Sequence, residues 1–280
     1  MAAPAQKHNV ATLGRPQRAA PTVTCLVTFE ASHGTATPME RVVAVIPARL
    51  GSSRFPGKPL APLHGLPMIE HVFRRAQLCA QLDEVYVATC DDEIRAVAQG
   101  FGATVIMTSA THERATDRIA EAAEHFASEI IVMIQGDEPM ITPAMITTSL
   151  GPLRSDPLVG CVNLVHRINS DREFLDPNTI KVVADLNDDA LYFSRSPIPK
   201  VFKQVCVIPF RRECLLEFAR LEPGPLELAE SIDMLRLLEH GRKVRLVETE
   251  VTTHAVDTPE DLQLVETLMN NDQLMRQYTS

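Results

Sequence analysis

Between Pro47 and Leu60 the chain reads PARLGSSRFPGKPL, which sets Arg49, Arg54 and Lys58 among two glycines and two serines. Glycines let backbone N–H groups approach phosphate oxygens, and three cations in one loop offset a charge as large as a triphosphate's. The spacing excludes the phosphate loop of kinases and ATPases, which needs four residues between its glycines and a Ser or Thr after its lysine. Here five residues separate Gly51 from Gly57, and Pro59 follows Lys58.

Two acids are candidates for a metal that accompanies such phosphates. Asp137 closes the run Ile130 to Gly136, where an apolar strand would deliver it to the edge that carries the basic loop. Magnesium favours one or two carboxylates together with phosphate oxygens. Asp257, in AVDTPEDL, falls between a predicted strand and a helix that begins near Pro259. That place suits helix capping equally well, so Asp257 gains weight only beside Asp137.

These residues need a frame. Val42–Ile46, Glu84–Thr89, Thr104–Met107 and Ile130–Ile134 read as strands, the last apolar enough to be buried on both faces. Pro67–Leu82, Asp91–Gly100 and Thr116–Phe126 read as helices, with Asp91 placed to cap its own. This alternation predicts a doubly wound α/β fold with ligands at the carboxyl ends of the strands. The second half is less regular, with strands expected at Gly160–Val165, Thr179–Ala184, Ala190–Phe193, Val205–Phe210 and Lys243–Thr249. Helices are expected at Pro225–His240 and Pro259–Asn270. The whole reads as one α/β domain with a mixed, mostly parallel sheet, helices on both faces, and antiparallel pairs in the second half.

Composition narrows the function. The 280 residues carry 27 Lys plus Arg against 36 Asp plus Glu, a net charge of −9. That balance opposes nucleic acids and anionic membranes as partners but admits a small anion in a local basic pocket. The six cysteines form no C-x-x-C pair and match no zinc spacing, so they read as small core residues in a reducing, cytoplasmic setting. No apolar run is long enough for a membrane helix. Residues 1–38 hold Lys7, Arg15 and Arg18 against Glu30 with little periodicity, and are expected to be a disordered tail or a stretch ahead of a true start at Met39. The working domain is then 39–280, with a charge of −11.

Six segments in this order resemble the 3-deoxy-manno-octulosonate (Kdo) cytidylyltransferases. They are IPARLGSSRFPGKPL (46–60), GLPMIEHV (65–72), IQGDEPMI (134–141), PNTIKVV (177–183), ALYFSRSPIP (190–199) and AVDTPEDL (255–262). The resemblance implies a Rossmann-like nucleotide-diphosphosugar transferase fold. It also implies Mg2+-dependent transfer of CMP from CTP to the anomeric hydroxyl of Kdo or a related keto-deoxy sugar acid, as in lipopolysaccharide biosynthesis. By the same resemblance Arg49, Arg54 and Lys58 hold the triphosphate, Asp137 and Asp257 bind Mg2+, and Arg118 and Gln135 lie near nucleotide or sugar. A homodimer is implied as well.

Three places depart from the family pattern. The base-binding loop usually reads HQSGTER, whereas His112–Arg118 puts Arg114 where a small hydroxyl residue stands. The H-x-G-x-Y strand of the sugar pocket is matched by Gln204–Ile208, after a shortened loop beyond Pro199. An E-Q pair on a later helix appears as Asp233–Met234. Gln204 and Asp233 are therefore expected to meet the acceptor. A different acceptor (another ulosonic acid or a phosphonate) and a silent nucleotide-binding relative stay open beside the Kdo reading. His112 and His166 are weaker candidates for bases.

Overall fold

The computed structural model describes residues 40–51, 54–199 and 201–279; the expectation for residues 1–38 and the loop serines Ser52 and Ser53 lie outside them. In chain order the elements are β1 (Val42–Ala48), β2 (Pro62–Leu63), β3 (Leu66–Pro67), α1 (Met68–Gln77), β4 (Glu84–Thr89), α2 (Asp92–Gly100) and β5 (Thr104–Met107). Then come α3 (Ala115–Ala122), β6 (Ile130–Ile134), α4 (Pro143–Ser155), β7 (Val162–Arg167), α5 (Asp171–Leu175), β8 (Lys181–Ala184) and β9 (Ala190–Ser194). The remainder is β10 (Phe202–Val205), β11 (Val207–Arg211), α6 (Arg212–Phe218), α7 (Pro225–Glu230), α8 (Met234–Glu239), β12 (Arg245–Glu248) and α9 (Pro259–Met269).

The first sheet has the order β11-β6-β1-β4-β5, parallel throughout except for β11. Every residue of β1 and β6 is buried, as expected of central strands covered by helices on both faces. One core cluster joins Ile46, Val72, Ile134 and Leu150; another, on the opposite face, joins Val45, Ile119, Met133 and Phe210. The parallel strands all end at one edge, which brings Ala48 beside Gly136.

Antiparallel pairs occur in the second half of the chain; apart from β11 on β6 they lie in a separate sheet, β12-β7-β10-β8-β9, in which only the β12–β7 pair is parallel. The run read as one strand over Val205–Phe210 is two strands: β10 belongs to the second sheet, β11 to the first, and Cys206 alone lies between them. Its N–H faces Glu138 Oε1 at 3.4 Å and its carbonyl accepts Gln135 N–H at 3.1 Å. Those two bonds hold the crossing against the end of β6. The helix expected over Pro225–His240 is likewise divided, because Ser231 adopts a left-handed conformation (φ 55°, ψ 49°). Arg195 Nε holds that turn through Glu230 O at 2.7 Å. No Gly or Pro marks the break, so helical periodicity runs through it unseen.

Among the described residues no helix is long and apolar enough to cross a membrane.

Candidate active site

The loop after β1 is closed by its own backbone. Gly57 N–H donates to Leu50 O at 3.2 Å, and Gly57 has φ +72°, a conformation that costs a glycine nothing and strains other residues. Leu50 N–H donates to Asp91 Oδ2 at 2.8 Å. Asp91 does occupy the cap position of α2, but its side chain makes no capping bond there and ties down the loop instead. Lys58 then opens a short 3-10 turn and projects a half-buried ammonium toward the end of β6.

There the two predicted acids come together. Lys58 Nζ is 2.7 Å from Asp137 Oδ2 and 3.5 Å from Asp257 Oδ1, and Arg54 donates to Asp257 Oδ1 at 2.9 Å. Val256 N–H donates to Asp137 O at 2.9 Å, which pins the backbone of Asp137 to the residue before Asp257. Capping does not account for Asp257. Thr258 caps α9, Asp261 completes the capping box, and Pro259 takes the first helical position.

Gly136 allows the close approach behind this arrangement: a Cβ on it would stand 3.2 Å from Pro47 O. Glu138 is fully buried, accepts from Thr253 Oγ1 at 2.9 Å, and has its carboxyl pushed up to about 7 by burial and by the neighbouring charge of Asp137.

The electrostatics are those of two acids sharing one cation. Burial pulls the Lys58 ammonium down, but the charge and hydrogen bond of Asp137, with Asp257 behind it, outweigh burial and leave it above its ordinary value. Asp257 lies above the usual carboxylate range because it is buried and faces Asp137, an effect that Lys58 and Arg54 only partly offset. Asp137 Oδ1 is buried without a hydrogen-bond partner. An orphaned carboxylate oxygen beside a second acid is the hard-oxygen donor set that suits Mg2+. Among the described residues no cluster of three or more His, Cys, Asp or Glu is placed to hold a metal, so the remaining oxygens would come from water and a phosphate ligand.

The acids and the basic loop line a cleft of about 820 Å³, within the range of small-molecule sites. Arg49, Arg118, Gln135, Gln204 and Asp233 line it too, so the nine residues expected to bind phosphate, metal, nucleotide or acceptor meet in one place. Their circumstances differ. Arg49 is exposed and makes no ion pair among the described residues. Arg118 is buried and donates to Thr108 Oγ1 and Ser109 O, so it braces the wall as well as lining it.

Asp233 Oδ2 accepts from Thr116 N–H at 3.0 Å and Oγ1 at 2.8 Å, capping α3 from outside; burial, eased by those bonds, raises its carboxyl. Arg114 also lines the cleft, but its Nε is 3.3 Å from buried Glu227 Oε1. Glu227 is shared with Arg236, which donates to it twice at 2.7 Å and to Asp117 at 2.7 and 3.1 Å. Arg114 therefore has a fixed anionic partner, which the sequence reading did not foresee. His112 is within hydrogen-bond reach of Glu121, and His166 bonds Arg167 O at 2.7 Å outside the cleft. Cys79 and Cys161 are buried as expected, whereas Cys206 lines the cleft.

Sequence reasoning missed Asn178, which accepts from Arg54, and Arg195, whose side chain donates to Pro177 O and Glu230 O. Both belong to segments quoted for the resemblance, which was the available signal.

A cytidylyltransferase family model matches residues 43–246. The Kdo cytidylyltransferase of Geobacter metallireducens is 46% identical over 244 residues, which cover 80% of this chain and 96% of that protein. The chain belongs to the Kdo cytidylyltransferase family. That of Solibacter usitatus is 46% identical over 81% of this chain and 94% of its own length. The solved structure of a CMP:2-keto-3-deoxy-manno-octonic acid synthetase complexed with CTP superposes with a TM-score of 0.76 at 43% identity, covering 82% of this chain and 98% of that one. A 4-diphosphocytidyl-2C-methyl-D-erythritol synthase from Anaerococcus prevotii, at TM-score 0.59 and 14% identity, shares the fold. Membership makes the chain a nucleotidyltransferase of Rossmann-like α/β architecture.

Proposed function

We propose that residues 39–280 transfer CMP from CTP to the anomeric hydroxyl of Kdo or a closely related keto-deoxy sugar acid. The hydroxyl oxygen forms a bond to the α-phosphorus and gives up its proton to water, the bond from that phosphorus to the bridging oxygen breaks, and pyrophosphate leaves with the electron pair. The observation that carries this reading is the meeting of Lys58 with Asp137 and Asp257 inside one cleft, in a chain 43% identical to a synthetase solved in complex with CTP.

Phosphoryl transfer demands positioning and charge neutralisation more than covalent help from the protein. Lys58, Arg49 and Arg54 supply the positive charge that holds the triphosphate. Asp137 and Asp257 are the residues that would hold Mg2+, which when bound neutralises phosphate charge and orients the reacting oxygens. Gly136 and the backbone of β6 let the nucleotide edge pack closely. Gln135 and Arg118 are assigned to the nucleotide or sugar, and Gln204 and Asp233 to the acceptor. Arg195 and Asn178 brace the wall between them. A cytoplasmic homodimer belongs to the same reading, on resemblance alone.

The test is pyrophosphate release from CTP and Mg2+ with Kdo, other ulosonic acids and phosphonates as acceptors. Release with Kdo is expected. Release only with another acceptor would move the substrate assignment, and CTP binding without release from any acceptor would leave a silent relative.

A further inference from the structure

β7 buries a side chain that its neighbours do not call for. Asn163 stands between Val162 and Leu164 and is wholly inaccessible (0% exposed). An amide in such a place persists only when its donors and acceptor are all satisfied, so its partners indicate its role. Nδ2 donates to Leu164 O at 2.7 Å and to Val205 O at 3.2 Å. Carbonyl oxygens only accept, so these two bonds fix which end of the amide is nitrogen and turn Oδ1 away from them. Oδ1 accepts from Gln204 Nε2 at 2.6 Å. Gln204 pairs with Val165 in the β7–β10 ladder, which puts it on the same sheet face as Asn163, one diagonal step away and within reach of a long side chain.

The chain of constraint then runs outward. The backbone orients Asn163, Asn163 orients Gln204, and Gln204 lines the cleft on the wall formed by the second sheet, facing the basic loop of the first. With its nitrogen committed to Asn163, Gln204 has Oε1 left without a protein partner among the described residues. We infer that Asn163 is a positioning residue for acceptor choice. It holds Gln204 in one amide orientation, so that Oε1 meets the sugar acid as a fixed hydrogen-bond acceptor for one of its hydroxyls. This rests on the cytidylyltransferase reading above. A glutamine free to flip would offer a donor half the time and discriminate poorly; a held one rejects an analogue that lacks the hydroxyl.

The experiment measures KM for CTP and for the best acceptor of the wild-type enzyme in Asn163→Leu, Asn163→Asp, Gln204→Leu and the Asn163→Leu/Gln204→Leu double variant. Asn163→Leu is expected to raise acceptor KM about tenfold with CTP KM within about twofold of wild type. Asn163→Asp keeps the oxygen to which Gln204 donates, so its acceptor KM stays near wild type even where thermal stability falls. In the Gln204→Leu background, Asn163→Leu has no further effect on acceptor KM, since it acts through the side chain already removed.

Equal rises in both KM values, or a further rise in the double variant, would overturn the inference and leave Asn163 a structural residue. Should Asn163→Leu not fold, Gln204→Glu decides: an ionised glutamate has no N–H for Asn163, so acceptor KM must rise, and an unchanged value overturns the inference. No turnover by the wild type with any acceptor would instead defeat the underlying reading, and this inference with it.

Discussion

Arg54 and Asp257, 203 residues apart in the chain, meet at 2.9 Å within the cleft and join the loop after the first strand to the segment before the last helix. The Arg54 side chain is 46% exposed, and an ion pair that open to water contributes about 0–1 kcal/mol after screening. So weak a pair can exchange Asp257 for a phosphate.

Arg54→Leu is accordingly expected to move Tm by no more than about 3 °C while raising KM for CTP roughly tenfold. Thermal melts and initial rates of pyrophosphate release check both halves. A large fall in Tm with unchanged KM would make Arg54 a structural tie.

Asp137 is a different case, because its second oxygen is buried without a partner and its first neutralises Lys58. Asp137→Asn keeps the shape and removes the charge. Turnover should fall by at least roughly a hundredfold, with the dependence on Mg2+ moved to higher concentration. Wild-type turnover in this variant would remove Asp137 from the mechanism.

Much of this site was legible because its residues are local in sequence or close strands. Asp137 and the basic loop could be read from a strand followed by a turn, and β4, β5 and β6 were bounded correctly because each is a short β-rich run, fully apolar in the central β6. What could not be read was set by long-range contact. Asp91 looked like a cap, but a backbone donor 41 residues away claims its side chain. Cys206 looked like the middle of a strand, since nothing in its neighbours says that the two flanking stretches join different sheets. Arg114 was legible only as a departure in the base-binding loop; its partner Glu227 comes from α7, 113 residues on.

Glu227 anchors a stability prediction. It is wholly buried, and Arg236, itself 3% exposed, gives it two hydrogen bonds while also holding Asp117. Removing one partner of a buried pair strands the other charge, at a cost of about 3–5 kcal/mol. Arg236→Leu should therefore lower unfolding free energy by about that amount in denaturant titrations, even though Arg236 does not line the cleft. A loss below about 1 kcal/mol would mean that Arg114 alone compensates Glu227.

His71 sets a pH dependence. Leu63 O can only accept, so Nε2 carries the proton, and Nδ1 accepts from the Tyr278 hydroxyl at 2.9 Å. Burial is the main reason its pKa lies below the ordinary 6.5, partly opposed by the bond to Leu63, with Arg75 adding to the depression. A base whose folded pKa is lowered binds fewer protons folded than unfolded. The unfolded chain then gains protons first, and stability is lost as pH falls below about 6.5. His71→Gln should flatten that part of a Tm-against-pH curve, and an unchanged slope would assign the effect to other groups.

The single residue between β10 and β11 has an implication for redesign. With Cys206 as the whole connection, the proposed acceptor wall on the second sheet and the proposed nucleotide edge on the first stand one residue apart. An inserted residue that was absorbed as a register shift, and not as a longer crossing, would turn every side chain of an adjoining strand to its opposite face. New acceptors are therefore to be sought by exchanging side-chain lengths at positions such as Gln204 and Ile208, as one alters the wards of a lock without moving its plates.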